Sequence, residues 1–210
     1  MIERKEHWEK VYQTKRLSEV SWYEPIPYTS LKIINDLSLS KSAAIIDIGG
    51  GDSLLADHLL ERGYTNITVL DISSAAIERA KLRLGPKACS IKWIESDMLL
   101  FNATEKFDLW HDRAAFHFLT DPRDQQIYLN KSNENLKENG YLVTGTFSLK
   151  GPEKCSSLRV QQYSEITLQK IFNHFFKKIE CFEADHFTPV QTLQTFIFCI
   201  FKKKSVIKNG

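Results

Sequence analysis

Five residues at the end of one apolar run, Asp47-Ile48-Gly49-Gly50-Gly51, carry the strongest chemical signal in this chain. Glycines at a strand-to-helix turn let backbone approach a ligand that a Cβ would exclude. A second apolar run, Val69-Leu70, ends in Asp71, and a third stretch ends in Ser96-Asp97-Met98. A carboxylate at a strand tip accepts hydrogen bonds from the hydroxyls of a ribose. The three acids at 47, 71 and 97 lie 24 and 26 residues apart, each the length of one strand, helix and strand. The glycine turn paired with Asp71 is how a Rossmann-like sheet holds an adenosine-type cofactor.

The glycine turn limits which cofactor that is. G-x-G-x-x-G fails in every frame: from Gly49 the third glycine position is Leu54, from Gly50 the second is Asp52, and from Gly51 it is Ser53. No Gly-Lys-Ser/Thr follows, which excludes a phosphate loop. Asp52 at the start of the following helix would repel a pyrophosphate placed there.

The stretch Trp110-His111-Asp112-Arg113-Ala114-Ala115-Phe116-His117-Phe118 holds the candidates for chemistry. In an open parallel sheet this strand end faces the ligand crevice. Asp112 and His117 are the candidate catalytic residues. A hydrogen-bonded structural histidine and a structural Asp112 ion pair stand as the alternatives. Arg113, His117, Cys155 and Arg159 are candidates for binding an acceptor, the last two on a polar loop from Ser148 to Arg159 at the ligand edge.

These residues need a sheet to hold them. Strands are expected over 43–48, 67–70, 90–95, 107–111, 141–147, 178–185 and 195–202. Helices are expected over 3–16, from Thr29 or Ser30 through Leu37, and over 53–61, 73–84, 122–136 and 164–172, with a turn at Asn139-Gly140. Repeated strand–helix units imply an α/β fold, a Rossmann-like doubly wound sheet with helices on both faces. The last two strands are too close in sequence for a helical crossover and should pair antiparallel. Residues 1–40 read as an N-terminal helical and aromatic lid, 41–204 as the main domain and 205–210 as a frayed basic tail.

Bulk properties set the outer limits. The chain has 210 residues, 42% hydrophobic and 26% charged, with a net charge of +2. No nucleic acid or membrane partner is expected from that balance. The charged start, Met1 to Glu6, does not resemble a secretory signal. The cysteines at 89, 155, 181 and 199 lack zinc spacing and read as reduced thiols of a cytoplasmic protein. No metal-ligand cluster is visible, and a monomer is the simplest expectation.

With D-x-G-x-G as Asp47-x-Gly49-x-Gly51, the acids Asp71 and Asp97, and the strand–helix order, the chain resembles the class I S-adenosylmethionine-dependent methyltransferases from about residue 43 to 202. The resemblance implies a seven-stranded sheet whose last strand is antiparallel. It implies that Asp47, Gly49, Gly50 and Gly51 pack on the methionine part of S-adenosylmethionine. Asp71 with Ile72 would hold the ribose, and Asp97 with Met98 the adenine, with Asp112 nearby. Ser53 stands where many members carry a third glycine, and a helix-capping role suits it.

His7-Trp8-x-x-x-Tyr12 and Glu19-Val20-Ser21-Trp22-Tyr23 are similar to the lid of thiopurine- and tellurite-type methyltransferases and of some lysine methyltransferases. Trp8, Tyr12 and Trp22 are then expected over the cofactor, where an aromatic face suits a sulfonium. The Asn/Asp-Pro-Pro-aromatic motif of amino-directed DNA methyltransferases is replaced by Asp112-Arg113-Ala114-Ala115, and no cysteine follows a proline. A methyltransferase acting on a small molecule is therefore expected. A protein lysine methyltransferase is the alternative, and a non-catalytic cofactor-binding module the second.

Overall fold

A computed structural model describes residues 2–205. Five strands appear first: β1 (Ala44–Ile48), β2 (Asn66–Asp71), β3 (Ile91–Glu95), β4 (Phe107–Arg113) and β5 (Leu136–Phe147). A two-residue hairpin follows, β6 (Lys154–Cys155) and β7 (Leu158–Arg159), and the long pair β8 (Phe176–Phe187) and β9 (Leu193–Lys203) ends the sheet. The helices are α1 (Ile2–Thr14), α2 (Tyr28–Asp36), α3 (Leu55–Glu61), α4 (Ser74–Leu84), α5 (Pro122–Asn135) and α6 (Glu165–Phe172).

The seven-stranded sheet runs β3-β2-β1-β4-β5-β9-β8. Its pairs are parallel from β3 through β5, and β9 is antiparallel to both β5 and β8. All five residues of β1 are buried, as a strand covered on both faces requires. One face packs on Trp110, Phe116, Tyr128, Phe172 and Phe201. The other packs on Ile45, Val69, Leu109, Val143 and Phe198, together with Leu31, Ile33 and Ile34 of α2. The chain winds outward from β1 to β3, then returns to β4 on the other side of β1. That reversal opens a crevice at the carboxyl ends of β1 and β4.

Several local expectations change. Asn139 does adopt a left-handed φ of 63°, but the bend is absorbed into β5 as a register irregularity opposite Phe107 and Leu109. Helix α2 begins one residue after Pro27, so Ser30 lies inside it rather than capping it. Part of the loop after β5 forms the β6–β7 hairpin. Cys181 and Cys199 are not reduced thiols: strand register sets them directly opposite, with Cα atoms 4.2 Å apart, and a disulfide joins them. No sequence spacing announces a cross-strand pair. Cys89 and Cys155 are free thiols, the first exposed and the second buried. Among the described residues no helix is long and apolar enough to cross a membrane.

Candidate active site

The glycine turn is tied to the neighbouring strand. The N–H groups of Gly49 and Gly50 both donate to the Leu70 carbonyl, at 2.8 and 3.2 Å. Gly51 adopts a φ of +39°, and a Cβ there would lie 2.6 Å from Asp71 Oδ2 and 3.1 Å from the Tyr12 hydroxyl. Only glycine lets the turn, the lid and Asp71 converge this closely. Asp52, just beyond, is held by Arg79 and Arg83 of α4, which anchors the turn to that helix.

Asp71 ends β2. Its Oδ1 accepts the Ser73 N–H at 2.8 Å. Burial is the main influence on its carboxyl, pushing it up to about 7, and the nearby Asp47 and Glu9 charges add to that rise. Asp97 follows β3, and its Oδ1 accepts the Leu99 N–H at 2.9 Å. Its Oδ2 is buried and has no hydrogen-bond partner, with Arg4 as an ion-pair neighbour at 3.5 Å. A buried carboxylate oxygen without a donor is costly unless a ligand supplies one. Both acids open into one cleft, which Gly49, Ile72, Met98, Arg113 and Cys155 also line.

The lid closes over this cleft. Trp8 and Tyr12 come from α1, and Trp22 from the segment after it. Trp8 sits edge-on to Trp22 (5.7 Å) and Phe118 (5.0 Å), and Tyr12 edge-on to Trp22 (6.1 Å). Two reciprocal caps hold α1 on α4. Glu9 accepts from the Ser74 and Ala75 N–H groups (2.6 and 3.1 Å) and from the Ser73 and Ser74 hydroxyls. Those N–H groups are otherwise orphaned at the positive end of α4. In return Arg79 donates to the Tyr12 and Lys15 carbonyls at the end of α1, at 2.8 and 2.7 Å.

A second cavity adjoins the glycine turn, lined by Tyr23, Ser30, Asp47, Gly50, Ser53 and His111, with Arg113 shared between the two. Asp47 and His111 are direct partners across β1 and β4. His111 Nδ1 donates to Asp47 Oδ1 (2.7 Å), and its Nε2 meets the Ser30 hydroxyl (2.9 Å). Ser53 Oγ lies 3.4 Å from both the Leu55 N–H and Asp47, a weak substitute for the expected cap.

The structure thus brings together Trp8, Tyr12, Trp22, Gly49, Asp71, Ile72, Asp97, Met98, Arg113 and Cys155 on one cleft, with Gly51 beside it and Asp47 and Gly50 on the adjoining cavity. It separates Asp112, His117 and Arg159 from that cleft. Alternation along β4 points His111 and Arg113 to the lid side and Asp112 to the opposite layer. Asp112 is fully buried, with Oδ1 capping the Ala115 and Phe116 N–H groups and Oδ2 accepting the Tyr128 hydroxyl at 2.7 Å. Tyr128 in turn accepts from Trp110 Nε1 at 2.9 Å. Asp112 is therefore held as a structural acid beneath the cleft and does not line it.

His117 likewise does not line the cleft. It is fully buried, and burial, aided by the Arg113 charge, pushes its ring down to about 3. It stays neutral and out of the cleft. Arg159 is exposed on β7 and does not line the cleft. Cys155 does line it, but burial pushes its thiol up to about 11, so it is no ready nucleophile. Sequence reasoning missed Arg4, Glu24, Ser30 and His111. Of these only His111 carried a usable signal, as a polar residue near the carboxyl end of the central strand β4.

Comparison with known proteins agrees with this geometry. The profile of the family described as "Methyltransferase domain" matches residues 45–140. A Danio rerio protein named EEF1A lysine methyltransferase 2 is 25% identical over 154 residues, spanning 66% of this chain and 66% of its own. The malonyl-acyl-carrier-protein O-methyltransferase 1 of Ilyobacter polytropus is 30% identical over 111 residues, spanning 52% of this chain and 40% of its own. The matched stretch thus covers less than two thirds of either relative. A crystal structure of a SAM-dependent methyltransferase from Anabaena variabilis superposes with a TM-score of 0.76 at 13% identity, covering 96% of this chain and 95% of the other. Residues 45–140 thus carry a methyltransferase domain, and that match, the D-x-G-x-G turn, the two strand-tip acids and this sheet order together support a class I S-adenosylmethionine-dependent methyltransferase.

Proposed function

We propose that this protein transfers a methyl group from S-adenosylmethionine to a small-molecule acceptor by in-line displacement. The observation that carries the reading is the closed aromatic lid. Trp8, Tyr12, Trp22 and Phe118 cover the same cleft into which Asp71 and Asp97 open. The orphaned Asp97 Oδ2 fits the amino group of an adenine, and Asp71, with one oxygen unclaimed by backbone, fits a pair of ribose hydroxyls. The bound cofactor supplies a methyl on a sulfonium, a good leaving group.

What remains for the chain is to align, to exclude water and, where needed, to remove a proton. The lid excludes water. No side chain lining the cleft is arranged to remove a proton. Asp71 and Asp97 face the cofactor, Arg4 and Arg113 are cations, and burial holds the Tyr12 and Cys155 protons firmly. The acceptor therefore arrives with its lone pair already free, as a carboxylate, thiolate or unprotonated nitrogen does.

A second reading, a protein lysine methyltransferase, is supported by the Danio rerio relative. A lysine ammonium would need a carboxylate beside its path, and the two carboxylates on the cleft are both placed for the cofactor. The test is a methyl-transfer screen with labelled S-adenosylmethionine against carboxylates, thiols, heteroaromatic amines and lysine peptides. Transfer to lysine peptides alone would overturn the small-molecule reading. Tight cofactor binding with no transfer to any class would leave a binding module in its place.

A further inference from the structure

His186 lies on the edge strand β8, far in sequence from the lid, yet it touches the lid at two points. Its Nε2 lies 2.6 Å from the Ser21 carbonyl, and its Nδ1 lies 3.2 Å from Glu24 Oε1. A carbonyl oxygen only accepts, so Nε2 must carry a proton. An ionised carboxylate also only accepts, so a second proton, on Nδ1, makes the Glu24 contact an ion pair. Glu24 is ionised: burial works to raise its carboxyl, but His186 and Arg113 outweigh that and hold it below the usual carboxylate range. The same Glu24 oxygen accepts from Arg113 Nη2 at 2.9 Å, and Arg113 Nη1 donates to the Trp22 carbonyl at 3.2 Å. One carboxylate oxygen thus binds two cations from two different strands, and both cations sit on the lid residues that flank Trp22.

We propose that His186, in its doubly protonated form, is a positioning residue that latches the Ser21–Glu24 segment over the cofactor cleft. When the ring loses a proton, one of its two lid contacts must break, and Glu24 and Trp22 are released on that side. Arg113 then holds Glu24 alone. The cleft opens more readily and cofactor is retained less well.

The groups around the ring are few. From the lid they are Glu24 and the Ser21 carbonyl, and from β4 Arg113. From β6 the Cys155 thiol faces Ser21. From β9 the ring meets only the Phe196 face, at 6.1 Å, and that same face carries the Arg113 guanidinium at 4.7 Å. On β8 itself the adjacent Asp185 is bonded to Thr195 Oγ1 at 2.9 Å. Of these groups only the imidazole can shed a proton and still keep a second ring N–H for the lid.

This inference rests on the cleft being the cofactor's, and its test separates the two. Dissociation constants for S-adenosylhomocysteine would be measured from about pH 5.5 to about pH 9 on the wild type and on His186→Gln. Glutamine donates through one atom only, so it can keep one lid contact but not both. The ratio of variant to wild-type constants should be about tenfold at the acid end, for one lost charge-assisted bond, and should fall to about one at the alkaline end. A ratio that is one throughout, or that stays constant with pH, overturns the latch. Asp71 titrates in both proteins and cancels in the ratio. Nitrogen-15 chemical shifts of the wild-type imidazole read its protonation without cofactor or variant. A neutral ring below about pH 6 overturns the proposal even if the variant fails to fold. Absence of binding by the wild type at every pH would strike the cofactor reading, while the ring shifts would still decide the latch.

Discussion

Asp71 is expected to weaken the free protein in order to serve the bound one, and the size of that effect can be worked out. Its carboxyl is raised from 3.8 to about 7, chiefly because the turn and the lid bury it. The native state therefore binds its proton more tightly than the unfolded chain does. Below about pH 3 both states are protonated and the group costs nothing; stability then falls as pH rises to about 7 and stays lower above it. At about 1.36 kcal/mol per factor of ten, the full cost is on the order of 4 kcal/mol, and less than half of it is already present at about pH 5. Asp71→Asn keeps an oxygen for the Ser73 N–H and removes the charge. The variant should gain on the order of 2–3 kcal/mol relative to wild type between about pH 5 and about pH 8, read as a difference of urea unfolding free energies. It should also lose most of its affinity for S-adenosylmethionine, because an amide cannot accept two ribose hydroxyls as a carboxylate does. In the wild type the same titration makes cofactor affinity fall as pH drops below about 7. A variant no more stable at pH 8 than at pH 5, relative to wild type, would refute the claim that burial governs this carboxylate.

Three further outcomes follow from the same geometry. Asp112→Ala should cost about 3 kcal/mol or more in urea unfolding, since it strands the Ala115 and Phe116 N–H groups and the Tyr128 hydroxyl in the core; a loss under about 1 kcal/mol would contradict a structural role. Ala114 holds a φ of +68°, so Ala114→Gly should stabilise the protein by about 0.5–1 kcal/mol, checked by a rise in thermal midpoint. Glu9→Ala removes the acceptor for four donors at the start of α4, and stopped-flow release of S-adenosylhomocysteine should accelerate about tenfold or more as the lid loosens; an unchanged release rate would detach α1 from cofactor retention.

What the sequence could show of this site divides along a physical line. Asp47, the glycine turn, Asp71 and Asp97 were legible because each is fixed by local chain geometry: a strand end, a turn, a helix start. The βα spacing carries them to one sheet edge without any long-range knowledge. Asp112 and Arg113 are adjacent, and alternation guarantees that they face opposite layers, but it does not say which layer holds the ligand. That choice is made by the packing of Trp110 and Tyr128 on one side and the lid on the other. His186, Glu24, Arg4 and the Cys181–Cys199 pair were not legible, because each acquires its role from a partner brought close only by the complete sheet.

The contrast has a consequence for specificity. The locally encoded residues all lie on the cleft proposed for the cofactor or on the glycine turn beside it. The residues that depend on long-range packing, Arg113 with Glu24 and His186, hold the lid segment beside Trp22, where an acceptor would enter. Substitutions in the first group should abolish cofactor binding whatever the acceptor. Substitutions in the second should change which acceptors are used, and at what pH, while the strand-tip acids go on binding the cofactor.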